Sequence, residues 1–208
     1  SYNQAINLLR QPNTYYPTFF GSGIGINTTR FPNSSAVVIG NHNDSTGPTS
    51  AEYGVSIGYY SGQLLQGSGS IAIGQNAGYS SQGSGSVAIG LNAGYSFQQA
   101  IATAIGYQSG YSLQGTGSIA IGYQAGYTGQ SSGAVAIGYQ AGYNPQQMGS
   151  VTIGMRTGNR NQGTGAIAIG MESGLTGQNS TAVALGYQSG YSLQGQYNIA
   201  NSWFNPFG

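Results

Sequence analysis

Ser118-Ile119-Ala120-Ile121-Gly122-Tyr123-Gln124-Ala125-Gly126-Tyr127-Thr128-Gly129-Gln130-Ser131-Ser132-Gly133 is one unit of a repeat that runs through most of the chain. The glycine that closes its alternating tetrapeptide recurs every sixteen residues with no insertion, at Gly58, Gly74, Gly90, Gly106, Gly122, Gly138, Gly154, Gly170 and Gly186. A second glycine follows each of these by four residues and a glutamine by eight, and neither column has a gap. Sixteen residues are too few for a helical-hairpin or leucine-rich repeat, and residues 118–121 alternate with period two, as a strand does. Strands of about five residues are about 16 Å long, so one unit holds two of them and two tight turns. The predicted fold is therefore all-β: a parallel β-solenoid, or β-roll, of 16-residue coils with two short strands per coil.

Glycine linkers such as Gly67-Ser68-Gly69 and Gly115-Thr116-Gly117 turn the chain from one coil to the next, since glycine accepts turn dihedrals at no Cβ cost. The regular array spans residues 51–198. Residues 1–50 read as a non-repeat or degenerate-repeat cap or assembly segment, in which residues 36–40 still match the strand and residues 23–26 are a degenerate copy. Residues 199–208 read as a half-coil in register followed by an aromatic tail, Trp203-Phe204-Asn205-Pro206-Phe207, suited to cover or extend an open edge.

Parallel coils stack about 4.8 Å apart, so nine of them span about 43 Å and equivalent residues form columns along the axis. Gln82, Gln98, Gln114 and Gln130 belong to the unbroken glutamine column, which predicts an amide ladder. A second amide column, Asn76, Asn92, Gln108, Gln124 and Gln140, passes into Arg156 and Glu172 on adjacent coils. The prediction there is a stacked pair of opposite charges, worth about 1 kcal/mol at most if exposed. In nearly every strand one face carries Val and Ile, including Ile73, Ile89, Ile105, Ile121, Ile137, Ile153 and Ile169, and the other carries Ser and Ala. A strand apolar on both faces is normally covered on both. Whether alanine or isoleucine fills the single interior, an apolar stripe is left over, and the expectation is self-association as a homotrimer or, alternatively, a filament.

Composition excludes much else. Seven of 208 residues are charged, the formal net charge is +1 and there is no cysteine, where ordinary domains carry about 25% charged residues. Four arginines without a basic stripe give no nucleic-acid footprint, and no apolar run approaches the roughly 18 residues of a membrane-spanning helix. The expected chain is soluble or surface-displayed, with no nucleic acid and no membrane insertion, and its start at Ser1 reads as a processed product or a fragment. Glycine, at 38 residues, follows no collagen register.

The strand motif in Ser70-Ile71-Ala72-Ile73-Gly74 and Ser86-Val87-Ala88-Ile89-Gly90 resembles the head repeats of YadA-like trimeric autotransporter adhesins. Ala134-Val135-Ala136-Ile137-Gly138-Tyr139-Gln140-Ala141-Gly142-Tyr143 also looks like tandem repeats of giant-virus and phage fibre proteins. The resemblance covers roughly residues 35–202 and implies left-handed winding, three chains side by side, and an extracellular or virion-surface location. Coils of sixteen rather than about fourteen residues, with Tyr and Gln columns, set this chain apart from the bacterial heads and point to a fibre component.

Chemistry-bearing groups are few. Glu52, Arg156, Arg160 and Glu172 are too scattered for paired acid–base catalysis. A Walker loop is impossible without lysine, and the segment Asn41-His42-Asn43-Asp44 reads as solvated loop rather than a metal site. No enzyme activity, cofactor or metal is therefore expected. Asn27, Asn33, Asn43 and Asn179 begin N-x-[ST] sequons of the kind chance supplies in an Asn- and Ser-rich chain. The Tyr79, Tyr95, Tyr111, Tyr127 and Tyr143 column, resuming at Tyr191, is either a self-stacking ladder or a stripe for glycan or receptor binding. The ladder is the simpler reading, because a regular column needs no ligand to explain it. A hydroxyl column through Ser80, Ser96, Ser112 and Thr128 raises ice binding, but Asn144 and Arg160 interrupt it. The expectation is a stiff structural rod of an extracellular or virion fibre, with an adhesin head as the alternative and ice binding last.

Overall fold

A computed structural model describes residues 37–39 and 53–202. The strands in chain order are β1 (Val37–Ile39), β2 (Val55–Ile57), β3 (Leu64–Gln66), β4 (Ile71–Ile73), β5 (Ser80–Gln82), β6 (Val87–Ile89), β7 (Ser96–Gln98) and β8 (Thr103–Ile105). They continue with β9 (Ser112–Gln114), β10 (Ile119–Ile121), β11 (Thr128–Gln130), β12 (Val135–Ile137), β13 (Val151–Ile153), β14 (Ile167–Ile169), β15 (Val183–Leu185) and β16 (Ile199–Asn201). All pair in parallel, into an eleven-stranded first wall ordered β1-β2-β4-β6-β8-β10-β12-β13-β14-β15-β16 and a five-stranded second wall, β3-β5-β7-β9-β11. The described residues form an all-β parallel solenoid of about nine sixteen-residue turns.

Register follows the sequence period: Ile119 pairs with Val135 and Ile121 with Ile137, sixteen residues on. At the start Val37 pairs with Val55 across an eighteen-residue coil, so the first wall begins within the irregular segment. At the other end Ile199 pairs with Val183, extending the wall by the half-coil. The strands have three residues rather than about five, because a left-handed or glycine residue follows closely on either side.

The open question of which face lies inside has a definite answer. Ala72, Ala88, Ala104, Ala120 and Ala136, at the centre of the first-wall strands, are fully buried. Among the described residues 15 of the 16 buried apolar side chains are alanine, Leu175 being the other. The Val and Ile columns that flank them point outward. A coil this short brings its walls too close for branched side chains to meet between them, so methyl groups and the glutamines share the interior.

Two full strands per coil hold for five coils only. In the second wall the residue before each glutamine is left-handed: Leu65, Ser81, Phe97 and Leu113 have φ of 54–56° and Gly129 has 66°. Proline, fixed near −65° and without an N–H, occupies the next position in that column, Pro145. From there the second wall narrows to single bridges, Gln130 to Gln146, Gln146 to Gln162, Gln162 to Gln178 and Gln178 to Gln194. The N-terminal aromatic segment, the degenerate strand at 23–26, Asn27, Asn33, Asn41-His42-Asn43-Asp44, Glu52 and the tail 203–208 lie outside the described residues.

Candidate functional site

The glutamine column does more than stack. In seven of the nine coils Nε2 crosses the interior to the backbone carbonyl eleven residues earlier on the first wall, among them Gln82 to Ile71 at 2.7 Å, Gln98 to Val87 at 2.8 Å, Gln114 to Thr103 at 2.7 Å and Gln130 to Ile119 at 3.0 Å. The predicted axial ladder is present in part, with Gln98 donating to Gln114 Oε1 at 3.1 Å and Gln130 to Gln146 Oε1 at 2.9 Å. These side chains are almost inaccessible, and a buried amide is stable only when bonded. The column therefore ties wall to wall as well as coil to coil.

Both complete glycine columns follow from the same packing. A Cβ on Gly78, where φ is +54°, would lie 2.6 Å from Gln82 Oε1, so the glycine and the glutamine four residues later form one device. A Cβ on Gly74, where φ is +124°, would lie 2.7 Å from the carbonyl oxygen of Gly90 in the next coil. That second contact sets how closely coils approach.

On the outside, the second amide column is held by side-chain bonds between coils: Asn76 donates to Asn92 at 2.9 Å, Gln124 to Gln108 at 2.8 Å and Gln140 to Gln124 at 3.0 Å. The predicted stacked charges form an ion pair, Arg156 Nη1 to Glu172 Oε1 at 2.9 Å, and Gln188 donates to the other carboxylate oxygen at 3.0 Å. All these residues except Tyr60 at the head of the column carry amides or charges, and each is left-handed, with φ of 50–57°.

The tyrosine column is a ladder. Rings of Tyr79, Tyr95, Tyr111, Tyr127 and Tyr143 lie 4.9–5.0 Å apart between centroids with planes within 11° of parallel. Inner rings thus have a tyrosine on each side. Burial first, and neighbouring tyrosines second, push the Tyr95 and Tyr127 hydroxyls above their ordinary pKa. A second ladder, Tyr107, Tyr123 and Tyr139, is equally regular, with centroids 4.9–5.0 Å apart. The sequence reading passed over it, although the tyrosine directly after the strand-closing glycine in three successive units was the available signal. In the hydroxyl column, Thr128 and Thr176 donate to the carbonyls of Tyr143 and Tyr191 at 3.3 and 2.9 Å rather than presenting free hydroxyls.

The isoleucines Ile73, Ile89, Ile105, Ile121, Ile137 and Ile153 are half-buried on the outer face of the first wall, and Ile169 is exposed. Among the described residues no group of three or more His, Cys, Asp or Glu is placed to hold a metal, and no helix is long and apolar enough to cross a membrane. What the fold defines is a parallel β-solenoid repeat protein. No protein-family model, curated protein or solved structure matches the chain.

Proposed function

We propose that the chain is a stiff structural element, a rod segment of an extracellular or virion-surface fibre, that works as a homotrimer through the outer face of its first wall. The observation that carries this reading is the inversion of the usual arrangement: alanine inside, and outside two columns along eleven strands that are Val or Ile except at Thr103, Leu185 and Asn201. Ten spacings of about 4.8 Å make that face about 48 Å long, and contiguous apolar surface on that scale marks an association site. Continuous parallel pairing and scarce charge suit a load-bearing rod. Native mass spectrometry and sedimentation test the assembly: the expected species is a trimer, and a monodisperse monomer at micromolar concentration overturns it. Ile121→Asp would place an unpaired charge in the buried contact, so this variant should be monomeric or unfolded; a trimer with parental stability counts equally against the reading.

A further inference from the structure

Departures from a repeat this regular are informative, because the neighbouring coils fold without them. The residues 97–101, Phe97-Gln98-Gln99-Ala100-Ile101, stand where the neighbouring coil has Leu113-Gln114-Gly115-Thr116-Gly117. The substitution is not neutral. Ile101 takes the left-handed linker position, at φ 53°, where six other coils have glycine and Tyr53, Thr181 and Tyr197 are the other non-glycine residues among those described, a backbone region that a β-branched residue enters only under strain. Its side chain is also 64% exposed, so no buried contact compensates.

Beside this segment lies a shallow depression of about 530 Å³ on the second wall. It forms where glycines fall in two adjacent columns: Gly115 lies between Gln99 and Ser131, and Gly129 lies beyond Leu113. Neither gap can be filled cheaply, since a Cβ on Gly115 would lie 2.6 Å from backbone of the next coil and Gly129 is left-handed. Phe97, exposed and with no stacked ring among the described residues, stands on one side with Leu113. Gln99, Ser131 and Ser132 supply amide and hydroxyl groups on the other. Thr116 Oγ1 donates to Gln99 Oε1 at 2.8 Å, which fixes that amide's orientation and leaves its Nε2 for a ligand. Gln98 and Gln130, also beside it, aim their amides inward to the first wall. None of the residues around the depression is charged.

We infer that this depression is a binding site for a neutral saccharide, one pyranose ring stacking its C–H face on Phe97 while its hydroxyls bond Gln99, Ser131 and Ser132. An apolar platform with a few convergent polar groups is the usual form of a small-ligand site, and an uncharged lining selects an uncharged ligand. The tyrosine ladders are poorer platforms, because their ring faces are already taken by one another. The site is independent of the rod reading: it lies on the second wall, and its test does not depend on oligomeric state.

Saturation-transfer NMR on the full chain tests it, with glucose, galactose, mannose and N-acetylglucosamine as neutral probes and sialic acid as the charged one. Transfer to at least one neutral sugar and none to sialic acid is expected. The quadruple reversion F97L/Q99G/A100T/I101G restores the neighbouring coil's pattern. It should weaken binding about tenfold or more, the size of a lost ring contact, while relief of strain at position 101 raises Tm by about 2–4 °C. Tyr111→Phe should leave binding unchanged. No transfer to any neutral sugar, preferential transfer to sialic acid, or undiminished binding by the folded reversion variant each overturns the assignment; capture of apolar peptides in place of sugars does so too.

Discussion

Coils 54–130 and coils 134–194 share the first wall without interruption but differ in the second. In the former the second wall is a sheet of five strands; in the latter it is a row of single bridges at Gln146, Gln162, Gln178 and Gln194. The interior changes less. Both regions bury alanine and serine, with Ala72, Ala104, Ser61 and Ser109 in the first and Ala136, Ala168, Ser173 and Ser189 in the second, and the second adds the buried threonines Thr152 and Thr157. Gln146 there donates to Thr152 Oγ1 at 2.9 Å, and Ser173 reaches the Ala184 carbonyl at 2.9 Å. Two lessons follow. The first wall is the continuous element on which the solenoid depends, and the second tolerates loss of its ladder as long as the glutamine survives.

The largest difference between the two regions is expected when that glutamine is removed from each. Gln98 Nε2 serves the Val87 and Ala102 carbonyls and Gln114 Oε1, whereas Gln162 serves Arg160 and Gly174 at 3.4 and 3.1 Å. Gln98→Ala should cost about 3–5 kcal/mol, combining a cavity with stranded buried acceptors, and Gln162→Ala about 2 kcal/mol. Urea midpoints measure both; equal losses would mean that the glutamine works alike in the two regions.

The tyrosine ladder from Tyr79 to Tyr143 spans the first region and ends where the second begins. Because the folded-state pKa of Tyr95 and Tyr127 lies above the ordinary value of 10.0, the ladder's contribution is whole below about pH 10. It is lost as pH rises through the folded-state pKa. Alkaline titration followed by circular dichroism should show stability falling in that window, and Tyr95→Phe combined with Tyr127→Phe should move the onset upward. A stability profile flat through the tyrosine range would contradict this.

Pro145→Leu tests whether the proline is what ends the second wall. Leu65 and Leu113 already adopt the required left-handed backbone, so this variant can extend the second wall by one strand. The gained hydrogen bond and the left-handed cost are each about 1 kcal/mol, so overall stability should change by no more than about 1 kcal/mol. Hydrogen exchange at residues 144–146 should nevertheless slow. The smallest effect belongs to the exposed Arg156–Glu172 pair: Arg156→Ala should cost less than about 1 kcal/mol, and salt should erase the difference.

Much of this architecture was legible in the residues. The unbroken sixteen-residue spacing of Gly58 to Gly186 dictates stacked coils, and the complete glutamine column dictates a buried, bonded amide. The position of Arg156 one coil before Glu172 located the ion pair. Orientation was not legible, because Ile119-Ala120-Ile121 alternates between two faces that are both apolar, and only the distance between walls decides which one faces inward. The reach of Gln130 to the Ile119 carbonyl depends on that same distance. Pro145 was visible, but its effect needed the left-handed backbone of its column, which leucine, serine and phenylalanine at 65, 81 and 97 gave no reason to expect. The depression beside Phe97 escaped notice because it arises from glycines in two columns that only the folded coil sets side by side.

The contact between successive strand-closing glycines, as of Gly74 with Gly90, has a genetic corollary. It involves only nearest neighbours, so a duplication or deletion of one sixteen-codon unit preserves it on both sides of the junction and leaves the reading of every other column unchanged. Recombination between near-identical units would lengthen or shorten the rod in increments of about 4.8 Å, whereas an indel that is not a multiple of sixteen residues leaves an irregular coil at its site, as between Val37 and Val55. Length is thus a heritable, quantised trait of this fold.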